Sequence, residues 1–233
     1  MSEYDYLTVI QARMGSSRLP GKVMKPLCGI PSIGHLLERL KRSQKCGKMI
    51  VATTLEPKDD VLCDYLKDAG VDFYRGSEKD VLQRFYEVSL LCPAQVMVRV
   101  TADNPLTDPL LLDEMIRLFE KSGCRYARLK GFPIGVGAEV FETSLLHEAW
   151  QNVQGDYEHE HVTPYMYTRQ ESMAEYTSEK DLSNIRLTMD TPEDYVRLQE
   201  IYTHLYKGRH DFYFKDILDY LDSKKAERQE EHA

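Results

Sequence analysis

No apolar run in the sequence approaches the roughly 20 residues that a membrane-spanning helix needs, so a membrane partner is not expected. Positive charge is also short: 30 Lys and Arg stand against 38 Asp and Glu, a formal net charge of −8. A duplex-binding protein needs a basic surface to neutralise phosphates, so nucleic acid is not an expected partner. A small anionic ligand stays compatible with this balance, because a few local cations make a positive pocket. There is no CxxC pair. The five cysteines (Cys28, Cys46, Cys63, Cys92 and Cys124) are scattered and odd in number, which suits reduced thiols in the cytoplasm. Met1 to Tyr6 carries Glu3 and Asp5 and no basic residue, unlike a signal peptide. No internal repeat, linker or low-complexity segment divides the chain.

What is present reads as globular. Hydrophobic residues make up 42% of the 233 and charged residues 29%. That length supports one large α/β domain, taken as residues 1–233. Residues 6–10, 49–53, 71–74 and 96–100 are short apolar, strand-like runs. Between them lie helical patterns. Residues 31–42 space Ile33, Leu36, Leu37 and Leu40 on one face, and residues 57–69 do the same with Val61, Leu62, Tyr65 and Leu66. Residues 79–91 carry Val81, Leu82, Phe85, Val88 and Leu91, and residues 109–121 open with proline and stop at Gly123. Four strand–helix alternations imply a mostly parallel sheet with helices on both faces. The second half is less regular. Strands are expected at 125–129, 139–141, 173–176 and 185–189, and helices at 144–152, 161–168, 193–206 and 215–221. Residues 130–172 are an expected excursion for an acceptor or for dimerisation. Residues 224–233, a mixed charge run, are an expected frayed tail.

In such sheets ligands sit beyond the carboxyl ends of the strands. The first loop there is Gln11-Ala12-Arg13-Met14-Gly15-Ser16-Ser17-Arg18-Leu19-Pro20-Gly21-Lys22. It is neither a GxxxxGK(S/T) nor a GxGxxG motif. Gly15 and Gly21 let backbone approach a ligand closely. Backbone N–H groups and the Ser16 and Ser17 hydroxyls suit phosphate oxygens. Arg13, Arg18 and Lys22 add charge with no acid in the loop to cancel it, a composition suited to a triphosphate. Asp103 follows the apolar run of the fourth strand and so faces that loop. Magnesium takes one or two carboxylates with phosphate and water oxygens, which makes Asp103 a candidate ligand. It equally fits an Asx turn before Pro105. Asp190 also ends an apolar run, yet Thr191-Pro192-Glu193 reads as an ordinary helix start. Ser77 and Asp80 each have a plain reading as helix-start residues. The run Glu158-His159-Glu160-His161 invites a metal reading, but magnesium avoids imidazole, and a helix start or acceptor contact is favoured. Trp150, the one tryptophan, falls on an apolar helical position and is expected in the core.

The stretch QARMGSSRLPGKVM resembles the opening signature of the cytidylyltransferases of spore-coat polysaccharide biosynthesis, which are similar to the CMP-sialic acid and CMP-ketodeoxyoctonate synthetases. Further blocks resemble that group in the same order: Phe73 to Leu82, Arg99 to Pro105, Gly135 to Phe141, Glu160 to Tyr165, and Leu187 to Asp194. The resemblance implies a Rossmann-like nucleotide-diphospho-sugar transferase (GT-A-like) fold. It implies a first loop, Gln11 to Lys22, that holds CTP, and Arg75 and Ser77 near the nucleoside. It also implies Asp103 and Asp190 as magnesium ligands, and Glu139 and His161 on the acceptor side. Three positions depart from the group: Ala102 stands mildly in place of Gly, and, of more weight, Gly137 stands where Asp is common and His159 where Arg is common. Gly137 and His159 bear on the acceptor rather than on the nucleotide. A homodimer is compatible with the resemblance, although no isolated apolar stripe demands one.

The expected reaction is attack of a sugar or sugar-acid hydroxyl on the α-phosphorus of CTP, releasing pyrophosphate. Asp103, Arg13 and Lys22 would carry the catalysis by charge and position. The rivals are use of another triphosphate, a GT-A-fold glycosyltransferase, and a non-catalytic nucleotide-binding module. Asp103-Asn104-Pro105 lacks the second acid of the usual DxD metal motif, which counts against a glycosyltransferase.

Overall fold

The computed structural model describes residues 5–169 and 173–230. The strands are β1 (Tyr6–Gln11), β2 (Pro26–Leu27), β3 (Ile30–Pro31), β4 (Lys48–Thr54), β5 (Phe73–Gly76), β6 (Val96–Thr101), β7 (Tyr126–Lys130), β8 (Glu139–Glu142) and β9 (Ala174–Thr177). The α-helices are α1 (Ser32–Leu40), α2 (Asp60–Asp68), α3 (Val81–Leu91), α4 (Pro109–Ser122), α5 (Thr143–Asn152), α6 (Asp156–His161), α7 (Pro164–Arg169), α8 (Pro192–Leu205) and α9 (Phe214–Glu230). Seven strands form one sheet in the order β5-β4-β1-β6-β8-β7-β9. The first four in that order run parallel, and β8 is antiparallel to both β6 and β7. β2 and β3 form a separate two-stranded hairpin.

Strand alternation explains why helices cover both faces. Tyr6 and Ile10 of β1, Val51 of β4, and Val96, Val98 and Val100 of β6 point to one side. There they meet α1, α2 and α4 through Leu36, Leu40, Leu62, Leu66, Leu112 and Met115. Leu7, Val9, Ile50, Ala52 and Met97 point to the other side. They pack on Leu82, Phe85 and Val88 of α3 and on Leu145, Leu146 and Ala149 of α5. A third cluster gathers α8 and α9 around Leu27, Leu106, Val136, Leu187 and Met189. Residues 130–169 are not set apart from this frame. They supply β8, between β6 and β7, and core residues Val140, Phe141, Val162 and Met166. Residues 170–172, the end of the expected excursion, lie outside the described residues, as do 231–233 of the expected tail; residues 224–230 continue α9. Among the described residues, no helix is long and apolar enough to cross a membrane.

Three expected elements differ. The strand expected at 185–189 is not one; the segment makes a single bridge, Ile134 to Arg186. Its amides are divided between two places. Leu187 N–H donates to Ile134 O at 2.7 Å, and Met189 N–H donates to Asp103 O at 2.7 Å. Gly135, at φ +105°, permits this approach, since a Cβ there would lie 2.5 Å from Leu187 C and Thr188 N. The helix expected at 161–168 is split. Val162 takes a positive φ of 68°, and Pro164, which has no N–H to extend the preceding helix, opens α7. The helix expected at 215–221 runs longer, as α9.

One polar contact beneath α1 makes stability pH-dependent. The buried His35 places Nε2 2.7 Å from Leu27 O, which only accepts, so Nε2 donates. Its Nδ1, 2.8 Å from His210 Nε2, must then accept from that ring. Burial first, then repulsion from Arg39 and from His35 when that ring is protonated, push His210 down to about 4, and burial lowers His35 too, so both rings are neutral at neutral pH. The unfolded chain takes up the His210 proton near pH 6.5 and the folded chain resists until about pH 4. This contribution is complete above pH 6.5 and is lost on acidification across that window. Thermal unfolding should show a falling Tm from pH 6.5 to 4, with a shallower fall in His210→Gln. Equal slopes would remove the pair from the account.

Candidate active site

The carboxyl ends of β1 and β6, which are neighbours in the sheet, open into a cleft of about 350 Å³. Its lining includes Gln11, Ala12, Arg13, Arg18, Lys22, Arg84, Arg99, Thr101, Asp103, His161 and Asp190. A roomier hollow of about 700 Å³ lies at the opposite edge, around Asp5, Lys45 and Lys48. There Lys45 pairs with Glu120 and Lys48 with Asp72, so it offers little free charge.

The first cleft centres on Lys22. Its Nζ lies 2.8 Å from Asp103 Oδ2 and 2.7 Å from Asp190 Oδ1. The three groups are 81 and 168 residues apart in sequence. Lys22 is brought in by a one-turn 3-10 helix (Lys22–Met24) that follows Gly21, itself at φ 68°. Asp103 stands two residues past β6, where the chain turns through Asn104. Asp190 is delivered by the Met189–Asp103 backbone bond and fixed from behind by α8. There Thr191 and Asp194 form a reciprocal capping box, and Asp190 N–H donates to Asp194 Oδ2 at 3.0 Å. Thus the plain helix-start reading of this stretch holds for Thr191 and Pro192, while Asp190 faces the cleft. Burial pushes the Asp190 carboxyl up, but Lys22, Arg18 and Arg186 outweigh burial and hold it below the usual carboxylate range. Arg186 lies 2.5 Å and Arg18 3.4 Å from Asp190 Oδ2.

The first loop is less uncompensated than its own composition suggests, because acids reach it from distant segments. Lys22 and Arg18 meet Asp190, and Arg13 lies 4.0 Å from Glu160 of α6. Gln11 Oε1 accepts from Arg99 Nε at 3.0 Å. Gly15, Ser16 and Ser17 flank the cleft without lining it, and Ser16 Oγ accepts from Leu19 N–H. Arg75, on the edge strand β5, turns away from it. Its guanidinium donates to Thr54 O and Glu56 O and pairs with Asp60 at 2.7 Å. Ser77 Oγ accepts from Asp80 N–H, and Asp80 caps α3 through Gln83 N–H. His159 Nδ1 sits 2.8 Å from Asp80 Oδ2. Trp150 is half-buried against the α3–α5 core and stacks on Tyr86.

Glu139 lies in an adjoining hollow of about 310 Å³, joined to the cleft through Arg99 and Thr101. Arg99, Tyr126 and Thr163 all donate to its carboxylate. His161 lines the cleft itself. Of the polar lining residues, Arg84 was not singled out in the sequence, Arg99 and Thr101 were read only as part of the block Arg99 to Pro105, and Glu160 only as part of the Glu158–His161 run. Arg84 had a visible signal, since it falls on the apolar face of α3 between Val81 and Phe85.

Among the described residues, no group of three or more His, Cys, Asp and Glu is arranged to hold a metal alone. Two carboxylates on one shared cation are the donor set that magnesium accepts, its other positions going to phosphate and water oxygens. The residues present therefore fit such an ion.

A mostly parallel α/β sheet with cations and two carboxylates at its carboxyl edge is the architecture of a nucleotidyltransferase. The chain belongs to the cytidylyltransferase family, whose model, described as "Cytidylyltransferase", matches residues 7–225. It is 38% identical over 218 residues to an uncharacterized protein of Methanocaldococcus jannaschii, covering 92% of this chain and 89% of that one. It is 36% identical over 208 residues to the spore coat polysaccharide biosynthesis protein SpsF of Bacillus subtilis, covering 85% and 86%. The solved structure of a cytidylyltransferase from Leptospira borgpetersenii superposes with a TM-score of 0.89 at 33% identity, covering 95% of each chain.

Proposed function

We propose that this chain transfers CMP from CTP to a hydroxyl of a sugar or sugar acid, with magnesium, releasing pyrophosphate in the cytoplasm for surface-polysaccharide synthesis. The observation that carries the reading is Lys22 between Asp103 and Asp190 at the mouth of β1 and β6. The family supports the cytidylyl group, and the B. subtilis relative's name supports the pathway.

In this reading the acceptor oxygen bonds to the α-phosphorus, the bond from the α-phosphorus to the α–β bridging oxygen breaks so that pyrophosphate leaves with that oxygen, and the hydroxyl proton passes to solvent. Asp103 and Asp190 would hold the magnesium, which when bound supplies charge to phosphate oxygens. Lys22 then exchanges the two carboxylates for the triphosphate, and with Arg13 and Arg18 it offsets charge on the departing pyrophosphate. The hollow around Glu139 receives the acceptor. Glu139, held by three donors, is a rigid acceptor of sugar hydroxyls. One domain, residues 1–233, carries the whole site.

Pyrophosphate release with magnesium, with each of four NTPs against sugar phosphates and keto-sugar acids, tests the reading. Release with CTP and one acceptor class is expected. CTP binding without release on any acceptor would favour a non-catalytic module, and release with another triphosphate alone would move the base assignment.

A further inference from the structure

Arg84 is 2% exposed, yet it lines the cleft. It lies on α3, and its Nη1 donates to the carbonyls of Ser77 and Glu78. Its Nε is one of two buried side-chain polar atoms without a partner among the described residues. The acids around it are committed elsewhere. Asp59 accepts from Met14 N–H, both Thr53 and Thr54 hydroxyls, and Thr54 N–H. Asp80 holds Gln83 N–H and His159, and Glu78 holds Lys58. The nearest cation is in the same position. Arg13 Nη1 donates to the same Glu78 carbonyl at 3.4 Å, and its one acid, Glu160, is 4.0 Å away on exposed side chains. Burial, then the charge of Arg13, lowers the guanidinium's pKa to about 10, so it remains charged at neutral pH. Two guanidinium groups thus meet at one carbonyl, and among the described residues no carboxylate makes an ion pair with Arg84, although Asp59, Asp80 and Glu78 act on it from farther off. A buried charge without a counter-charge is strongly disfavoured unless something else neutralises it.

We propose that Arg84 and Arg13 form an anion seat in the cleft wall facing Lys22, which the phosphates of the nucleotide neutralise on binding. This rests on the nucleotidyltransferase reading and adds a phosphate-contacting residue to it. The seat is separate from the Lys22–Asp103–Asp190 cluster. Because its charge is unpaired in the free protein, it is present before the ligand arrives, and the ligand meets a preformed site.

Calorimetry with CTP and with inorganic pyrophosphate, on the parent, Arg84→Met and Arg84→Lys, tests the seat. Arg84→Met should weaken both ligands by about tenfold or more, the worth of one charge-assisted contact. Arg84→Lys, which keeps the charge, should stay within about threefold of the parent for pyrophosphate, and the free Arg84→Met protein should melt no lower than the parent. Loss of CTP binding alone, with pyrophosphate unchanged, would make Arg84 a base or sugar contact and overturn the proposal. A lowered Tm with both affinities unchanged, or equal losses in Arg84→Met and Arg84→Lys, would make it a brace for the loop at 77–78 and overturn it too. A parent that binds pyrophosphate but no nucleotide would keep the seat and remove the nucleotidyltransferase reading. A parent that binds neither would end both.

Discussion

Asp103→Asn should fold as the parent does and release pyrophosphate roughly a thousandfold more slowly, the scale on which removing one preorganised charge acts. The two halves of that expectation rest on different atoms. The fold uses the Asp103 backbone, whose carbonyl accepts from Met189 N–H at 2.7 Å and so fixes the segment that delivers Asp190. Asparagine keeps that carbonyl. The side chain, partly exposed at 24%, contributes one partner to Lys22, which still has Asp190 at 2.7 Å. Because Lys22 keeps that carboxylate, asparagine leaves no buried charge unpaired, and the loss of stability is small. Turnover depends instead on the negative charge, which asparagine lacks and which both Lys22 and a hard cation require. Circular dichroism melting beside a pyrophosphate-release assay measures the two together. An unchanged Tm with unchanged turnover would remove Asp103 from the chemistry and leave Asp190 as the candidate. A collapsed Tm would make the residue structural.

The parts of this site that local pattern encodes were legible in the sequence. The apolar runs of β1 and β6 end where the strands end. The residues just past them, Gln11 to Arg13 and Thr101 to Asp103, must then share one edge of a parallel sheet. Asp190 was only half legible in this way. It ends an apolar run, but its place depends on amides shared between Ile134 and Asp103, contacts that local pattern does not encode, and the family likeness was needed to set it beside Asp103. The expected strand at 185–189 failed for the same reason: an apolar run shows burial and not which partner pairs with it. The split at Val162 is a tertiary override, a β-branched residue held at positive φ between two short helices. Arg75 and Arg84 show the limit from the other side. Both are arginines near the third strand–helix turn. One is tied to Asp60 on the sheet edge, while the other is buried at the cleft. Helical phase separates them, since Arg84 shares a face with Val81, Phe85 and Val88.

A second large effect is expected away from the cleft, at Arg39. Its side chain is fully buried on α1. It donates Nε to Thr107 O at 3.1 Å and Nη1 to Phe212 O at 2.9 Å, faces Asp108 at 3.5 Å, and lies over the Phe212 ring. Asp108, 1% exposed, in turn caps α4 through Leu110 and Leu111 N–H and accepts from Phe214 N–H at 2.6 Å. One guanidinium thus ties α1, the start of α4 and the entry to α9 together. Arg39→Met keeps most of the volume and strands the Asp108 charge and two carbonyls. Breaking a buried pair from one side costs about 3–5 kcal/mol, which for a chain of this size lowers Tm by about 6–20 °C. Asp108→Asn keeps the cap and removes the stranded charge, so the double variant should recover part of the loss, and a double-mutant cycle measures that coupling. CTP affinity of the folded Arg39→Met protein should match the parent, because Arg39 does not line the cleft. A Tm within 2 °C of the parent, by contrast, would mean that solvent reaches Asp108 when its partner is removed, and that the junction of α1, α4 and α9 opens more readily than its burial implies.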